Sequence, residues 1–214
     1  MRSQNLYWQE YWSNKEWSGN HYEMNDYKPG RDLPPIDPET HRRRIVVPVL
    51  EILDLQPHHH ALDIGCGSGL LLREIEKKVE RAVGTDISQS MLDQFEGESQ
   101  TFCVPANELP FGDNSFDRIV MWGVALYFPS FDYFKDVVEK CIAMLRPNGV
   151  LLLGDLIIAT GQKVNPKFMQ YDALDLMQFL DNLDRPYTLF SHISLRKRVN
   201  NRKSIVINSE YIPE

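Results

Sequence analysis

The stretch Ala61–Leu72, ALDIGCGSGLLL, decides the reading of this chain. An apolar run, His60–Ile64, ends at Gly65, and Gly67 and Gly69 follow before a second apolar run begins at Leu70. Such a pattern predicts a strand, a glycine turn and a helix. Glycines there let backbone approach a ligand without interference from Cβ, while unpaired helix N–H groups face the same space. In a parallel sheet the ligand lies outside the carboxyl ends of the strands, where the strand order reverses. Asp86 stands about 20 positions beyond the turn, at the end of a second apolar run, where an acid accepts from both hydroxyls of a ribose. The spacing is G-x-G-x-G, not G-x-G-x-x-G/A, and Leu70 fills the third small position of a dinucleotide loop. A bulky leucine where the helix must come close to the sheet counts against a pyrophosphate ligand.

Outward from this turn, strand and helix patterns alternate. Helices are expected over about 41–55, 69–79, 88–96, 131–145 and 165–180, with Pro48 early in the first and Ser88 a plausible N-cap. Strands are expected over 60–65, 81–87, 101–105, 116–122 and 149–156. Two more, 188–195 and 203–209, flank a polar turn at Asn200-Asn201 and suit an antiparallel edge hairpin. The alternation implies an α/β fold with a mainly parallel sheet covered on both faces.

Four blocks in this order resemble the class I (Rossmann-like) S-adenosylmethionine-dependent methyltransferases, small-molecule branch. They are Ala61–Leu72, then Val83–Ser88 (VGTDIS), then Asn107–Phe111 (NELPF) with Ser115–Trp122 (SFDRIVMW), and Leu145–Asp155 (LRPNGVLLLGD). The resemblance implies a three-layer sandwich around a seven-stranded, doubly wound, mostly parallel sheet with an antiparallel C-terminal edge hairpin. It implies S-adenosylmethionine as cofactor. Asp63, Gly65, Cys66, Gly67 and Gly69 would surround its methionine moiety, and Asp86 would hold the ribose. Ile87, Met91, Ala106, Asn107 and Glu108 would lie about the adenine. Met121, Trp122 and Gly123 would close the pocket under the sulfonium. One departure stands out: the position before Ala106, often an aspartate in the family, is Pro105, which can neither accept by side chain nor donate by backbone.

Methyl transfer is an in-line displacement at an already activated carbon, so positioning and desolvation matter most, and a base is needed only for a protonated nucleophile. Candidate catalytic residues are Tyr127 after the fourth strand, Asp155 at the end of the fifth, and His21 in the N-terminal segment. Residues 1–40 form an arm distinct from the domain of residues 41–214. The arm holds Tyr7, Trp8, Tyr11, Trp12, Trp17, Tyr22 and Tyr27 and then a proline cluster at Pro29, Pro34, Pro35 and Pro38. Too poor in aliphatic periodicity to fold alone, it must pack on the domain that follows. Tyr7, Tyr11, Trp12, Trp17 and Tyr22 are expected to line or cover the acceptor side, and Tyr7–Trp17 suits a short helix.

The chain has 214 residues, 43% hydrophobic and 25% charged, with a net charge of −7. That length suits one α/β domain with a full core. The negative charge argues against nucleic acid as main partner. Arg42-Arg43-Arg44, Arg196-Lys197-Arg198, Arg202 and Lys203 read as solvated surface. Cys66, Cys103 and Cys141 are scattered in apolar runs, without zinc or disulfide spacing. Adjacent histidines at 58–60 cannot all face one ion, so no metal is expected. No stretch reaches the ~20 apolar residues of a membrane span, and a cytoplasmic monomer or homodimer acting on a small molecule is the expectation. The alternatives are a catalytically silent cofactor-binding module, a protein or tRNA methyltransferase, and, more remotely, a nicotinamide dehydrogenase.

Overall fold

Strand β1 (His60–Ile64) sits near the middle of a seven-stranded sheet of order β3-β2-β1-β4-β5-β7-β6 in this computed structural model. The structure describes residues 8, 10–12, 39, 42–161, 167–191 and 202–207. β2 (Arg81–Asp86) and β3 (Gln100–Cys103) extend the sheet on one side of β1. On the other side lie β4 (Phe116–Trp122), β5 (Leu145–Ile157), β7 (Arg202–Ile207) and β6 (Tyr187–Ser191). β1 to β5 are parallel, while β7 pairs antiparallel with both β5 and β6. The order reverses between β1 and β4, so a crevice opens beyond their carboxyl ends.

Period-two alternation assigns each strand residue to one of two covered faces. Leu62, Ile64, Ile119, Met121, Leu151 and Leu153 share a cluster with Phe134, Val137, Val138, Cys141 and Met144 of α4 (Phe131–Met144). Leu176, Phe179 and Leu180 of α5 (Ala173–Asp181) pack on the same face. Ala61, Val120, Leu152 and Val206 face the other way and meet Val49 and Leu53 of α1 (Val47–Leu53) and Ile75 of α2 (Leu72–Ile75). Ser130 caps α4 by accepting from the Tyr133 N–H, and Asp172 caps α5 by accepting from Leu174 and Asp175.

Several elements depart from the sequence expectation. The first helix begins as a π-helical turn, Arg42–Val46, and becomes α-helical at Val47, with Pro48 in the opening turn where its missing N–H costs least. The helix expected over 69–79 is only Leu72–Ile75, because Gly69 holds φ at +87°, outside the helical region. The third is α3 (Gln89–Leu92); its flanking Ser88 is extended, and the Ser88 hydroxyl pairs with that of Ser90 instead of capping. β5 starts earlier than expected, at Leu145, and α5 later, at Ala173. Residues 192–201, with the expected turn, lie outside the described residues, as does most of the arm. No helix among the described residues is long and apolar enough to cross a membrane.

Candidate functional site

The turn after β1 is tied to β2 by its backbone. The N–H groups of Gly65 and Cys66 both donate to the Thr85 carbonyl, at 2.7 and 2.9 Å. Gly65 has φ +71°, and a Cβ there would stand 2.2 Å from a Val124 methyl, so no other residue fits without displacing the segment after β4. The next glycine, Gly67, has φ +56°. Its N–H donates to Asp86 Oδ2 at 2.9 Å, while the Ser88 N–H donates to Asp86 Oδ1 at 2.9 Å. Each carboxylate oxygen of Asp86 thus accepts one of these two bonds, and the carboxylate as a whole keeps lone pairs for a ligand. Burial pushes the Asp86 carboxyl up from its ordinary range, and the Ser88, Gly67 and Ile87 N–H groups oppose that shift.

Asp63, on β1, is buried at 3% exposure. Its Oδ2 has no hydrogen-bond partner among the described residues. Burial, then the charge of Asp86, raises its carboxyl to about 7, against a weaker opposing bond from the Leu72 N–H. A buried acid with an unsatisfied oxygen marks a place for a polar or cationic ligand group. Cys66, between the glycines, is a buried thiol pushed well up by burial and by Asp63 and Asp86, which makes it a poor nucleophile.

A cavity of about 1180 Å³, open solvent at its mouth included, lies over this turn. Asp63, Gly65, Cys66, Gly67, Asp86, Ile87 and Met91 line it, as do Ala106, Trp122, Gly123 and Tyr127. Gly69, Asn107, Glu108 and Met121 do not. Met121 is fully buried in the sheet, and Asn107 accepts the Tyr133 hydroxyl on its Oδ1 at 2.9 Å. Asp155 is also outside the lining. Its backbone is left-handed (φ +64°), and its Oδ2 lies 2.7 Å from Arg202 Nη1. Burial raises the Asp155 carboxyl, and Arg202 opposes the rise. His21 falls outside the described residues, with Tyr7, Trp17 and Tyr22. Of the adjacent histidines, His59 accepts from the Gln56 N–H and His60 pairs with Arg146, so their rings serve separate local contacts.

The far wall is aromatic. Trp8 and Trp12, in helical conformation, line the cavity with Tyr127; ring centroids are 4.6 Å apart for Trp8–Tyr127 and 5.6 Å for Trp12–Tyr127. Phe168 stacks behind Trp8 at 5.5 Å. Tyr11 does not line the cavity but packs edge-on against both tryptophans. The Ser90 hydroxyl donates to the Trp12 carbonyl at 3.3 Å, tying this segment to α3. Burial drives the Tyr127 phenol far above its usual range, so it stays protonated near neutrality. Sequence reasoning missed Trp8, whose i, i+4 spacing with Trp12 was the available signal. It also missed Ile45, Val124, Phe128 and Tyr133, which lack a local signature.

Comparison with known proteins agrees with this geometry. A sequence profile described as a methyltransferase domain matches residues 62–153. Methyltransferase GfsG of Streptomyces halstedii is 28% identical over 125 residues, which cover 54% of this chain and 44% of that protein. Erythromycin 3''-O-methyltransferase of Saccharopolyspora erythraea is 32% identical over 108 residues, covering 45% of this chain and 34% of that one. The chain thus spans less than half the length of these curated relatives. In structure, magnesium protoporphyrin IX methyltransferase of Synechocystis PCC 6803, solved with bound SAM, superposes with a TM-score of 0.72 at 13% identity, covering 97% of each chain. With the cradle of Gly65, Gly67 and Asp86 at its centre, the region of residues 62–153 matches a methyltransferase domain in sequence, and the chain around it shares the fold of a methyltransferase solved with bound SAM.

Proposed function

We propose that this protein transfers the methyl group of S-adenosylmethionine to a small-molecule acceptor by in-line displacement. One observation carries the reading: the Asp86 carboxylate and the unsatisfied Asp63 oxygen face the same cavity, across a glycine turn in which a Cβ at Gly65 is sterically forbidden. These residues fit the cofactor. Two acceptor oxygens on Asp86 suit a ribose diol, and a buried carboxylate at Asp63 suits an ammonium group. The bound cofactor supplies a methyl carbon already activated by a positive sulfur.

What remains for the chain is to bind, orient and keep water out. Asp86 fixes the sugar while Ile87, Met91, Ala106 and Tyr133 offer an apolar slot for the base. Trp122, Val124 and Tyr127 stand across the turn from Asp86, because β4 flanks β1 on the side opposite β2. Trp8 and Trp12 pack against Tyr127 and line the cavity, so this described part of the arm serves as a lid on the acceptor side. The cavity runs from the Asp86 side of the turn to the aromatic wall of Trp8, Trp12 and Tyr127, so a ligand held by the turn extends toward that wall.

Calorimetric titration with S-adenosylhomocysteine tests the cofactor reading: saturable binding, lost in Asp86→Ala, is expected, and no binding by a folded protein refutes it. Removing residues 1–30 tests the lid: unchanged turnover with a folded core refutes that part. A second reading, a cofactor-binding module without chemistry, draws on the lack of a general base among the described lining residues. Binding without methyl transfer to chemically diverse acceptors would establish it.

A further inference from the structure

Helix α4 reaches across to the loop that walls the base side of the cavity. Two of its residues, Tyr133 and Lys140, stand seven apart, about two helical turns, and so share one face. Both bond to a single residue of that loop. The Tyr133 hydroxyl donates to Asn107 Oδ1 at 2.9 Å and accepts from the Asn107 N–H at 3.4 Å, which makes a reciprocal pair. Lys140 Nζ donates to the Asn107 carbonyl at 3.1 Å. Tyr133 is itself fixed from behind: its N–H donates to Ser130 Oγ at 3.1 Å, and its ring meets Phe128 edge-on at 4.8 Å. The Phe128 and Tyr133 side chains both belong to residues that line the cavity.

The loop is a tight turn hung from the end of β3. The Val104 N–H donates to the Asp86 carbonyl and the Glu108 N–H to the Pro105 carbonyl, both at 2.9 Å. Of the two central residues of this turn, Ala106 lines the cavity and Asn107 does not. The Asn107 side chain is turned onto α4, so it is engaged there and does not read a ligand. Pro105 brings neither a side-chain acceptor nor an N–H. What the turn shows the cavity at Ala106 is backbone and one methyl group. Backbone groups recognise a base edge well only when the turn that carries them is held in place beforehand.

Resting on the methyltransferase reading above, we propose that Tyr133 is a positioning residue for the base of the cofactor. By holding Asn107 it fixes the turn from Pro105 to Glu108, so that the backbone at Ala106 selects the amino edge of adenine. The Tyr133 ring serves as part of the wall of the slot, while its hydroxyl stays on the turn. A turn held in place rejects a base whose edge offers the wrong donors, because a polar group is then left unpaired. A loosened turn adjusts to either edge, and selectivity falls together with affinity.

Tyr133→Phe keeps the ring and removes only the hydroxyl. The full chain, Tyr133→Phe, Asn107→Ala and the double variant are titrated with S-adenosylhomocysteine. Its inosine analogue, with a carbonyl oxygen in place of the exocyclic amino group, is measured by displacement. The wild type should prefer S-adenosylhomocysteine by at least about 10-fold. Tyr133→Phe should weaken S-adenosylhomocysteine about 5- to 10-fold, the scale of one net hydrogen bond, and should narrow that preference. Asn107→Ala cuts the same side-chain bond from the other end, so the double variant should bind as Tyr133→Phe alone does. Undiminished affinity in Tyr133→Phe, or a wild type that does not prefer the adenine ligand, overturns the proposal. Equal losses for the two ligands do so as well, because a general loosening of the site does not tell one base from another. So do additive losses in the double variant, and an analogue that displaces the ligand from neither protein, since a freed turn should admit the other edge. S-adenosylhomocysteine that fails to bind the folded wild type overturns instead the methyltransferase reading beneath it.

Discussion

Replacing Asp63 by asparagine isolates the energetic strain built into the site. The folded protein holds this carboxyl at about 7, against an ordinary value of 3.8, because burial and Asp86 outweigh the Leu72 N–H. A group whose folded value is raised binds its proton more tightly in the folded state. Its contribution to stability is therefore greatest in acid and is lost as pH rises through about 7. A shift of roughly 3 units at ~1.4 kcal/mol each makes ionised Asp63 a burden of about 4 kcal/mol in the ligand-free protein. About 1.5 kcal/mol of that is already felt at about pH 5, so moving to about pH 8 removes a further ~3 kcal/mol. The asparagine side chain has the same shape and no titration. Urea unfolding of both proteins at the two pH values measures the difference. Absolute stability of the variant includes a pH-independent cost of about 1–3 kcal/mol for an unsatisfied amide, so the decisive quantity is the change with pH. The wild type should lose about 3 kcal/mol more than Asp63→Asn between the two conditions. Equal pH dependence in the two proteins refutes the assignment of a raised, buried carboxyl. Saturating S-adenosylhomocysteine, whose ammonium would neutralise Asp63, should flatten the wild-type dependence toward that of the variant.

The remaining predictions concern the cradle and its supports. Asp86→Asn replaces one acceptor oxygen with an amide nitrogen facing the Gly67 or Ser88 N–H; losing a charge-assisted bond should weaken S-adenosylhomocysteine binding about 10- to 100-fold by calorimetry. Undiminished affinity would remove Asp86 from the ribose site. Gly65→Ala places a methyl group 2.2 Å from Val124 at φ +71°. It should cost about 1–3 kcal/mol, a fall of about 2–4 °C in Tm for each kcal/mol, and an unchanged melting curve would contradict the close approach of the turn to the end of β4. Arg202→Ala strips Asp155 of its ion-pair partner and should destabilise the protein by about 1–3 kcal/mol at neutral pH. Because Asp155 then sits even higher above its ordinary pKa, the loss should shrink in acid; a loss independent of pH would mean that Arg202 acts by packing alone.

The parts of this molecule that were legible in advance are those where a residue type dictates its own backbone. Gly65, Gly67 and Gly69 have positive φ, and Asp86 closes on the turn they make. Helix α4 runs from Phe131 behind a Ser130 cap, within one residue of its expected span. Elsewhere a distant partner decided the outcome. Topology placed Asp155 at the end of a strand facing the cleft, yet Arg202, which reads as solvated surface, comes from β7 and claims it. Glu76, expected inside a helix, instead accepts from the backbone of Glu98 and Ser99, and the helix ends at Ile75. Tyr133 carries no local mark of function; it lines the cavity because Ser130 starts α4 where the Tyr133 hydroxyl reaches Asn107. Periodicity reports a face, and it does not report which remote side chain will meet it.

The insertion of β7 between β5 and β6 bears on how the chain is made. β5 finishes at Ile157, but its neighbour in the sheet spans Arg202–Ile207, and β6 hydrogen-bonds in the sheet only through that same strand. During synthesis the five parallel strands leave the ribosome with the outer edge of β5 bare, and β6 follows with nothing to join. Such an edge is a template for pairing with another chain. The interval in which roughly 50 further residues must be added is therefore the window in which a nascent copy is most exposed to aggregation or to capture by a chaperone. Slowing translation over residues 158–201 should lower the soluble yield more than slowing it anywhere upstream.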